Sequence, residues 1–143
     1  MPSELPFSST VVVRYSDTDA QGHLYFANYL VYADEVTTEY MEDIGLDADP
    51  VTGPCFVFTV NLTCDYSGEC GYRDSVRVST GYVALGKSSA TVRFELSKHA
   101  TGELLAAGSF TQVYVDKETR KSCPIPDAYR SAILARQPEL AAS

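Results

Sequence analysis

The chain has 143 residues, 45% of them hydrophobic and 21% charged, with a net charge of −8. That composition suits one domain over residues 1–143 that can bury a proper core. Residues 1–50 hold ten acidic residues against one basic residue, Arg14, and the remainder carries +1. An acidic chain without a basic stripe excludes nucleic acid and anionic membrane as expected partners.

No apolar run reaches the roughly 18 residues of a membrane helix, so no membrane span is expected. Met1 to Thr10 lacks the basic start and apolar block of a secretory signal. The chain is therefore expected in the cytoplasm, with Cys55, Cys64, Cys70 and Cys123 reduced and mostly buried. Those four cysteines form no CxxC pair, and the only histidines are His23 and His99. No metal site is expected from such a set.

In chain order, the first strand is predicted at about Ser9 to Tyr15, with Val11, Val13 and Tyr15 on one face. A polar loop follows to His23. A helix is predicted from Phe26 to Ile44, because Phe26, Leu30, Ala33, Val36 or Thr37, Tyr40 and Ile44 recur at three- and four-residue spacing. It would be roughly 28 Å long, with Gly45 ending it. Cys55 to Tyr66 alternates strictly, which predicts a long half-buried strand with Phe56, Phe58, Val60, Leu62, Cys64 and Tyr66 on one face. On that pattern Phe56 and Phe58 are core residues. Asp74 to Val83 alternates again, with Val76, Val78 and Tyr82 together. Gly86-Lys87 marks a hairpin. Ala90, Val92, Phe94 and Leu96 line the next strand, Ala100-Thr101-Gly102 turns, and Leu104 to Val115 is the last strand. Asp127 to Arg136 follows the prolines as a short helix. Short connections favour antiparallel hairpins. One long helix wrapped by a five-stranded antiparallel sheet is an α+β fold.

Residues 14–29 carry the chemistry: Arg-Tyr-Ser-Asp-Thr-Asp-Ala-Gln-Gly-His-Leu-Tyr-Phe-Ala-Asn-Tyr. Two carboxylates, a glycine and a histidine lie between a strand and a helix N-terminus, whose free N–H groups favour developing negative charge. A carboxylate there can act as nucleophile or base while the donors polarise a carbonyl. The plainer reading of Asp17 and Asp19 is turn formation and helix capping.

The stretch Arg14-Tyr15-Ser16-Asp17-Thr18-Asp19-Ala20-Gln21-Gly22, with Asn28-Tyr29 on the helix, resembles the signature of the 4-hydroxybenzoyl-CoA thioesterase family. That resemblance implies the hotdog fold over nearly the whole chain and hydrolysis of an acyl-CoA thioester without metal or cofactor. It implies Asp19 as the catalytic carboxylate, as nucleophile or general base, and the Phe26 N–H as oxyanion donor. Gly22 would let the loop backbone pass close to the substrate, and Asp17 would order the loop. Many relatives share the Gly22-His23 pairing, whereas others place an apolar residue there and a histidine where this chain has Phe26. His23 thus stands between a direct role and a structural hydrogen bond. Tyr25, Phe26 and Tyr29 line an acyl pocket or serve as helix-start packing. For CoA, the resemblance points to Lys87 and Ser88 in the hairpin and to Arg120 and Lys121 after the last strand, where the bland alternative is solvated charge. It also implies a homodimer or homotetramer with the active site between subunits.

Gly-x-Ser-x-Gly, phosphate-loop, dinucleotide and His-Glu-x-x-His patterns are absent. Two other functions fit the same fold. One is a thioesterase for acyl-carrier-protein substrates, and the other is a non-catalytic acyl-CoA-binding protein.

Overall fold

A computed structural model of the chain describes residues 4–47 and 49–142. Its strands are β1 (Phe7–Val12), β2 (Phe56–Tyr66), β3 (Ser75–Leu85), β4 (Ser89–Lys98) and β5 (Leu104–Val115). Its helices are α1 (Phe26–Asp43) and α2 (Asp127–Arg136). The strands form one sheet in the order β1-β3-β4-β5-β2, with every neighbouring pair antiparallel. β1 and β2 are its edges. This is the hotdog α+β architecture expected from the sequence.

The helix α1 forms where the apolar spacing predicts it, but its buried stripe is rotated. Tyr29, Tyr32, Ala33, Val36, Thr37, Tyr40 and Met41 are buried, while Phe26 is 60% exposed. The stripe packs on β3, with further contacts to β4 and β1. It meets the row Val76, Val78, Thr80 and Tyr82 of β3 and Ala90, Val92, Phe94 and Leu96 of β4, all buried. Thr37, the polar member of the stripe, pairs its hydroxyl with that of Thr80 at 2.9 Å, so its burial leaves no unpaired group. The helix stops in a Schellman motif: Gly45 (φ +88°) donates to the Glu42 carbonyl and Leu46 to that of Met41.

Two expectations need correction. The first strand ends at Val12, and Tyr15 starts a 3-10 turn (Tyr15–Asp17) in which it is 77% exposed rather than sharing a face with Val13. The second concerns β2, whose alternation is broken by a bulge between Thr59 and Asn61. Before the bulge Val57 and Thr59 register with Tyr114 and Gln112 on the helix side; after it Leu62, Cys64 and Tyr66 register with Phe110, Gly108 and Ala106. One extra residue reverses the sidedness of everything that follows. Phe56 and Phe58 therefore register with Val115 and Val113, on the side away from α1. They are not core: Phe58 is 44% exposed, and the Arg120 guanidinium lies 4.7 Å from the Phe56 ring centre.

The helix α2 buries Tyr129 and Ile133, with the Tyr129 ring edge-on to that of Tyr114 on β5. Just after it, the Gln137 side chain bonds both the N–H and the C=O of Tyr82 and accepts from the Tyr40 hydroxyl. It serves as a surrogate strand where β1, which pairs only as far as Thr80, has run out.

Candidate active site

Asp17 builds the frame. Its carboxylate accepts Arg14 Nε at 3.2 Å, an Arg14 terminal nitrogen at 3.1 Å and the Tyr32 hydroxyl at 2.6 Å. Those bonds to Arg14 first, and then the one to Tyr32, hold it below the ordinary carboxylate range against the opposing effect of burial. Burial and the bond to Asp17 push the Tyr32 phenol up. The Asp17 carbonyl accepts from the Tyr25 N–H at 3.0 Å and from Asn28 Nδ2 at 2.9 Å. One residue thus ties the end of the first strand to the start of α1.

Asp19 lies in the small hairpin that this frame supports. Thr18 bridges Leu24, the Asp19 N–H donates to the His23 carbonyl at 2.8 Å, the Gly22 N–H donates to the Asp19 carbonyl at 3.0 Å, and Gly22 (φ +82°) makes the turn. Glycine is suited to that φ because a Cβ would be strained there. Leu24 and His23 stitch the hairpin to Cys70 and Gly71. Within it, Asp19 Oδ1 accepts the N–H groups of Gln21 at 2.9 Å and His23 at 3.2 Å. The carboxylate is fixed through one oxygen, and Oδ2 makes no hydrogen bond among the described residues.

The nearby start of α1 is uncapped. Its N-cap is Tyr25, which supplies no side-chain acceptor. The Asn28 N–H turns back to the Tyr25 carbonyl at 2.8 Å, and no backbone acceptor among the described residues meets the Phe26 N–H. A helix entrance with an aromatic residue where Ser, Thr, Asp or Asn is favoured forgoes local stability and leaves donors for something else.

The other sequence-predicted residues divide into those near this point and those far from it. Tyr25 is 45% exposed, with its ring centre 4.8 Å from that of Phe26. Tyr29 is buried, its hydroxyl 3.7 Å from Cys70 Sγ, and burial pushes both the phenol and the thiol up. Tyr66 went unflagged by the sequence reading. It donates its hydroxyl to the Phe26 carbonyl at 2.8 Å and stacks edge-on against Tyr29 and Phe26. Its place as the last residue of an alternating strand gives no local sign that it returns to the helix start. His23 turns its ring to Glu69, with Nε2 3.3 Å from the carboxylate, so its contact with Asp19 is through backbone.

Lys87, Ser88 and Arg120 lie elsewhere. The Lys87 and Ser88 carbonyls accept from Ile125 and Tyr114, and Lys87 is exposed. Arg120 (φ +63°) sits over Phe56, at the start of β2, and Lys121 bonds back to Asp116 in the same turn. Tyr66, beside the Asp19 loop, is at the other end of β2. An eleven-residue strand separates its ends by roughly 33 Å. Within one protomer these cations do not meet Asp19.

Between α1 and the first half of β2 runs a groove of about 230 Å³, lined by Asp34, Thr38, Met41, Val57, Thr59 and Gln112 among others. It exists because α1 leans on β3 and β4 and away from the β2 edge. The sequence reading missed it, since it depends on the bulge that turns Val57 and Thr59 inward.

One antiparallel five-stranded sheet wrapped on one long helix is the hotdog class of fold. Residues 13–133 match the thioesterase-like superfamily. The chain belongs to that superfamily and is a thioester hydrolase. It is similar to a 1,4-dihydroxy-2-naphthoyl-CoA hydrolase of Synechococcus sp. (strain CC9605), 28% identical over 80% of each chain. Among solved structures it resembles a thioesterase from Thermus thermophilus complexed with coenzyme A and zinc, at TM-score 0.80 and 26% identity over 94% of this chain and 96% of that one. A 1,4-dihydroxy-2-naphthoyl-CoA thioesterase from Synechocystis shares the fold at TM-score 0.83, with 22% identity over 89% of this chain and 94% of that one. The assignment is broader than the 4-hydroxybenzoyl-CoA thioesterase family that the motif resembles. Among the described residues, no helix is long and apolar enough to cross a membrane.

Proposed function

We propose that this protein hydrolyses acyl-CoA thioesters, with Asp19 as the reacting carboxylate and the start of α1 as the oxyanion site. The observation that carries this reading is the pairing of the two: a carboxylate held by Oδ1 with Oδ2 unengaged, next to a helix entrance without a cap. Oδ2 attacks the thioester carbonyl carbon or takes a proton from an attacking water. The carbonyl oxygen gains charge and is met by the Phe26 N–H and the positive end of the helix. The C–S bond then breaks, and CoA leaves as the thiolate and picks up a proton from water. If Asp19 attacks directly, the mixed anhydride is cleaved by water in a second step. His23, turned to Glu69, is left outside this sequence. The relatives named as CoA hydrolases and the solved complex with coenzyme A support CoA as the thiol carrier.

The working unit we propose is a homodimer joined along β2. That strand is a free edge carrying Phe58, Val60, Leu62 and Tyr66 exposed. Bare apolar edges are avoided in monomers. Two-fold antiparallel pairing near Asn61 would lay the Tyr66 end of one protomer along the Phe56 end of its partner. Asp19 of one chain would then face the groove, Arg120 and the Lys87 hairpin of the other. This arrangement reconciles the separation seen within one chain with a single site.

The test is thiol release from a panel of acyl-CoAs by wild type and Asp19→Asn. Asparagine keeps the Oδ1 acceptor and so the hairpin, but is a poor nucleophile and base. Turnover falling at least about a hundredfold, the scale of a lost general base, with an unchanged melting temperature supports the proposal. Undiminished turnover in the variant overturns it. Running acyl-carrier-protein thioesters alongside separates the two donor classes.

A further inference from the structure

The uncapped start of α1 is held from two sides, and only one hold belongs to the Asp17 frame. That frame takes the Tyr25 N–H and the Asn28 side chain. It leaves Phe26, which lies between them, untouched. The second hold comes from the sheet. Tyr66, the last residue of β2, donates its hydroxyl to the Phe26 carbonyl at 2.8 Å, across 40 residues of sequence. Among the described residues this is the one side-chain hydrogen bond between β2 and α1. The Tyr66 ring is set edge-on to that of Tyr29 at 5.2 Å and to that of Phe26 at 6.5 Å, which aims the hydroxyl. Burial pushes the phenol up to about 12, so it remains a donor at neutral pH.

The helix has no need of this bond for its own ladder. The Phe26 carbonyl is the ordinary acceptor for the Leu30 N–H, and its second lone pair takes the phenol. Tyr66 is 43% exposed, so a phenylalanine there would keep the ring contacts without burying an unpaired group. What the hydroxyl adds is placement. It fixes the carbonyl end of Phe26, whose N–H meets no backbone acceptor among the described residues. It also polarises the peptide that joins Phe26 to Ala27, and the Ala27 N–H is the next unengaged donor of the first turn.

We infer that Tyr66 is a positioning residue for the hydrolysis: its hydroxyl holds the first turn of α1 so that the Phe26 and Ala27 N–H groups stay aimed at the thioester oxygen. This inference rests on the thioesterase reading. It adds a residue on the sheet edge that acts through the helix start and touches no reacting atom.

The experiment compares full-length wild type and Tyr66→Phe on the best acyl-CoA of the panel. In the variant kcat should fall about tenfold, since the donors remain but are held less well, and deleting an oxyanion donor outright costs about a hundredfold or more. KM should stay within about twofold, because the lost alignment matters in the transition state and not in ground-state binding. Two ligands separate positioning from a general loosening of the fold. A trifluoromethyl ketone analogue of the thioester, bound as its tetrahedral adduct, should lose the same factor of about ten in affinity. The matching thioether has no carbonyl oxygen and should lose nothing. Amide exchange gives a reading independent of turnover. The Leu30 N–H of the variant should exchange roughly two- to tenfold faster, the equivalent of one ordinary hydrogen bond, with Val36 and Tyr40 unchanged. An unchanged kcat, a thioether affinity that falls with that of the ketone, or a Leu30 amide that exchanges at the wild-type rate overturns the inference while leaving the thioesterase intact. If the wild type cleaves no thioester at all, the thioesterase reading fails and the inference falls with it.

Discussion

Asp17→Asn separates the frame of the site from its chemistry. In wild type the Asp17 carboxylate accepts two side-chain bonds from Arg14 and one from Tyr32, and its own side chain is only 9% exposed. The Arg14 side chain is 76% exposed, so water and salt screen its ion pair and it contributes little. The Tyr32 bond, a buried hydroxyl on a charged acceptor, contributes about 1.5–3 kcal/mol. Asparagine keeps one oxygen for Tyr32 but turns an NH₂ toward the Arg14 donors, so the net loss should be about 2 kcal/mol. The pH dependence has a definite sign. Because the folded-state pKa of Asp17 is lowered, chiefly by Arg14, its contribution is full above the ordinary carboxylate range and fades as pH falls through the lowered folded value. Urea unfolding of both proteins should show a constant gap from pH 7 down to about pH 5, and a closing gap below about pH 4. A gap below about 0.5 kcal/mol at pH 7, the scale of an ordinary surface substitution, would refute this account of Asp17. So would a gap that stays open at the acid limit.

Two further outcomes follow from the same geometry. His23→Ala should retain turnover within about threefold, since its ring faces Glu69 and its link to Asp19 is backbone; a loss on the scale of about a hundredfold would restore it to the mechanism. Val60→Arg places a charge on the exposed bulge residue of β2; light scattering should report a monomer, and thiol release should fall with it, whereas a monomeric variant of full activity would remove the dimer from the site.

Much of the fold is legible because its signals are periodic and local. The bounds of α1, β5 and α2 follow from apolar spacing and from Gly45 and the prolines, and the structure places them within a residue of those signals. The buried rows of β3 and β4 follow from alternation with little competing for them. Where the reading fails, one residue is responsible. Val60 reads as another member of an alternating strand, yet it is the bulge, and the faces of Phe56 and Phe58 reverse because of it. Nothing in an alternating string marks which residue will be left without a partner, since the bulge is set by how β2 fits β5 and not by β2 alone. The rotated stripe of α1 has a related origin in tertiary packing. Phe26 fits the spacing, yet it is 60% exposed, and its ring meets those of Tyr25 and Tyr66.

The proposed site shows the same division between local and distant information. Asp17, Asp19, Gly22 and Tyr25 lie within nine residues of one another, and the frame that joins them is a set of short-range bonds a sequence motif can encode. The aromatic N-cap at Tyr25 is itself a readable sign, because it breaks a local rule at a point where the fold had a better choice. Tyr66 breaks no such rule, and only the fold reveals it: the sequence does not say that the end of β2 returns to the first turn of α1. Arg120 and Lys87 are harder still, because the eleven residues of β2 hold them away from Asp19 in their own chain. For them to serve the same reaction, a second protomer must reverse the strand. In the proposed dimer, that pairing would cover the apolar surface that lies bare along β2. The edge that would be a liability in a monomer is, in the proposed dimer, what brings the two halves of the site together.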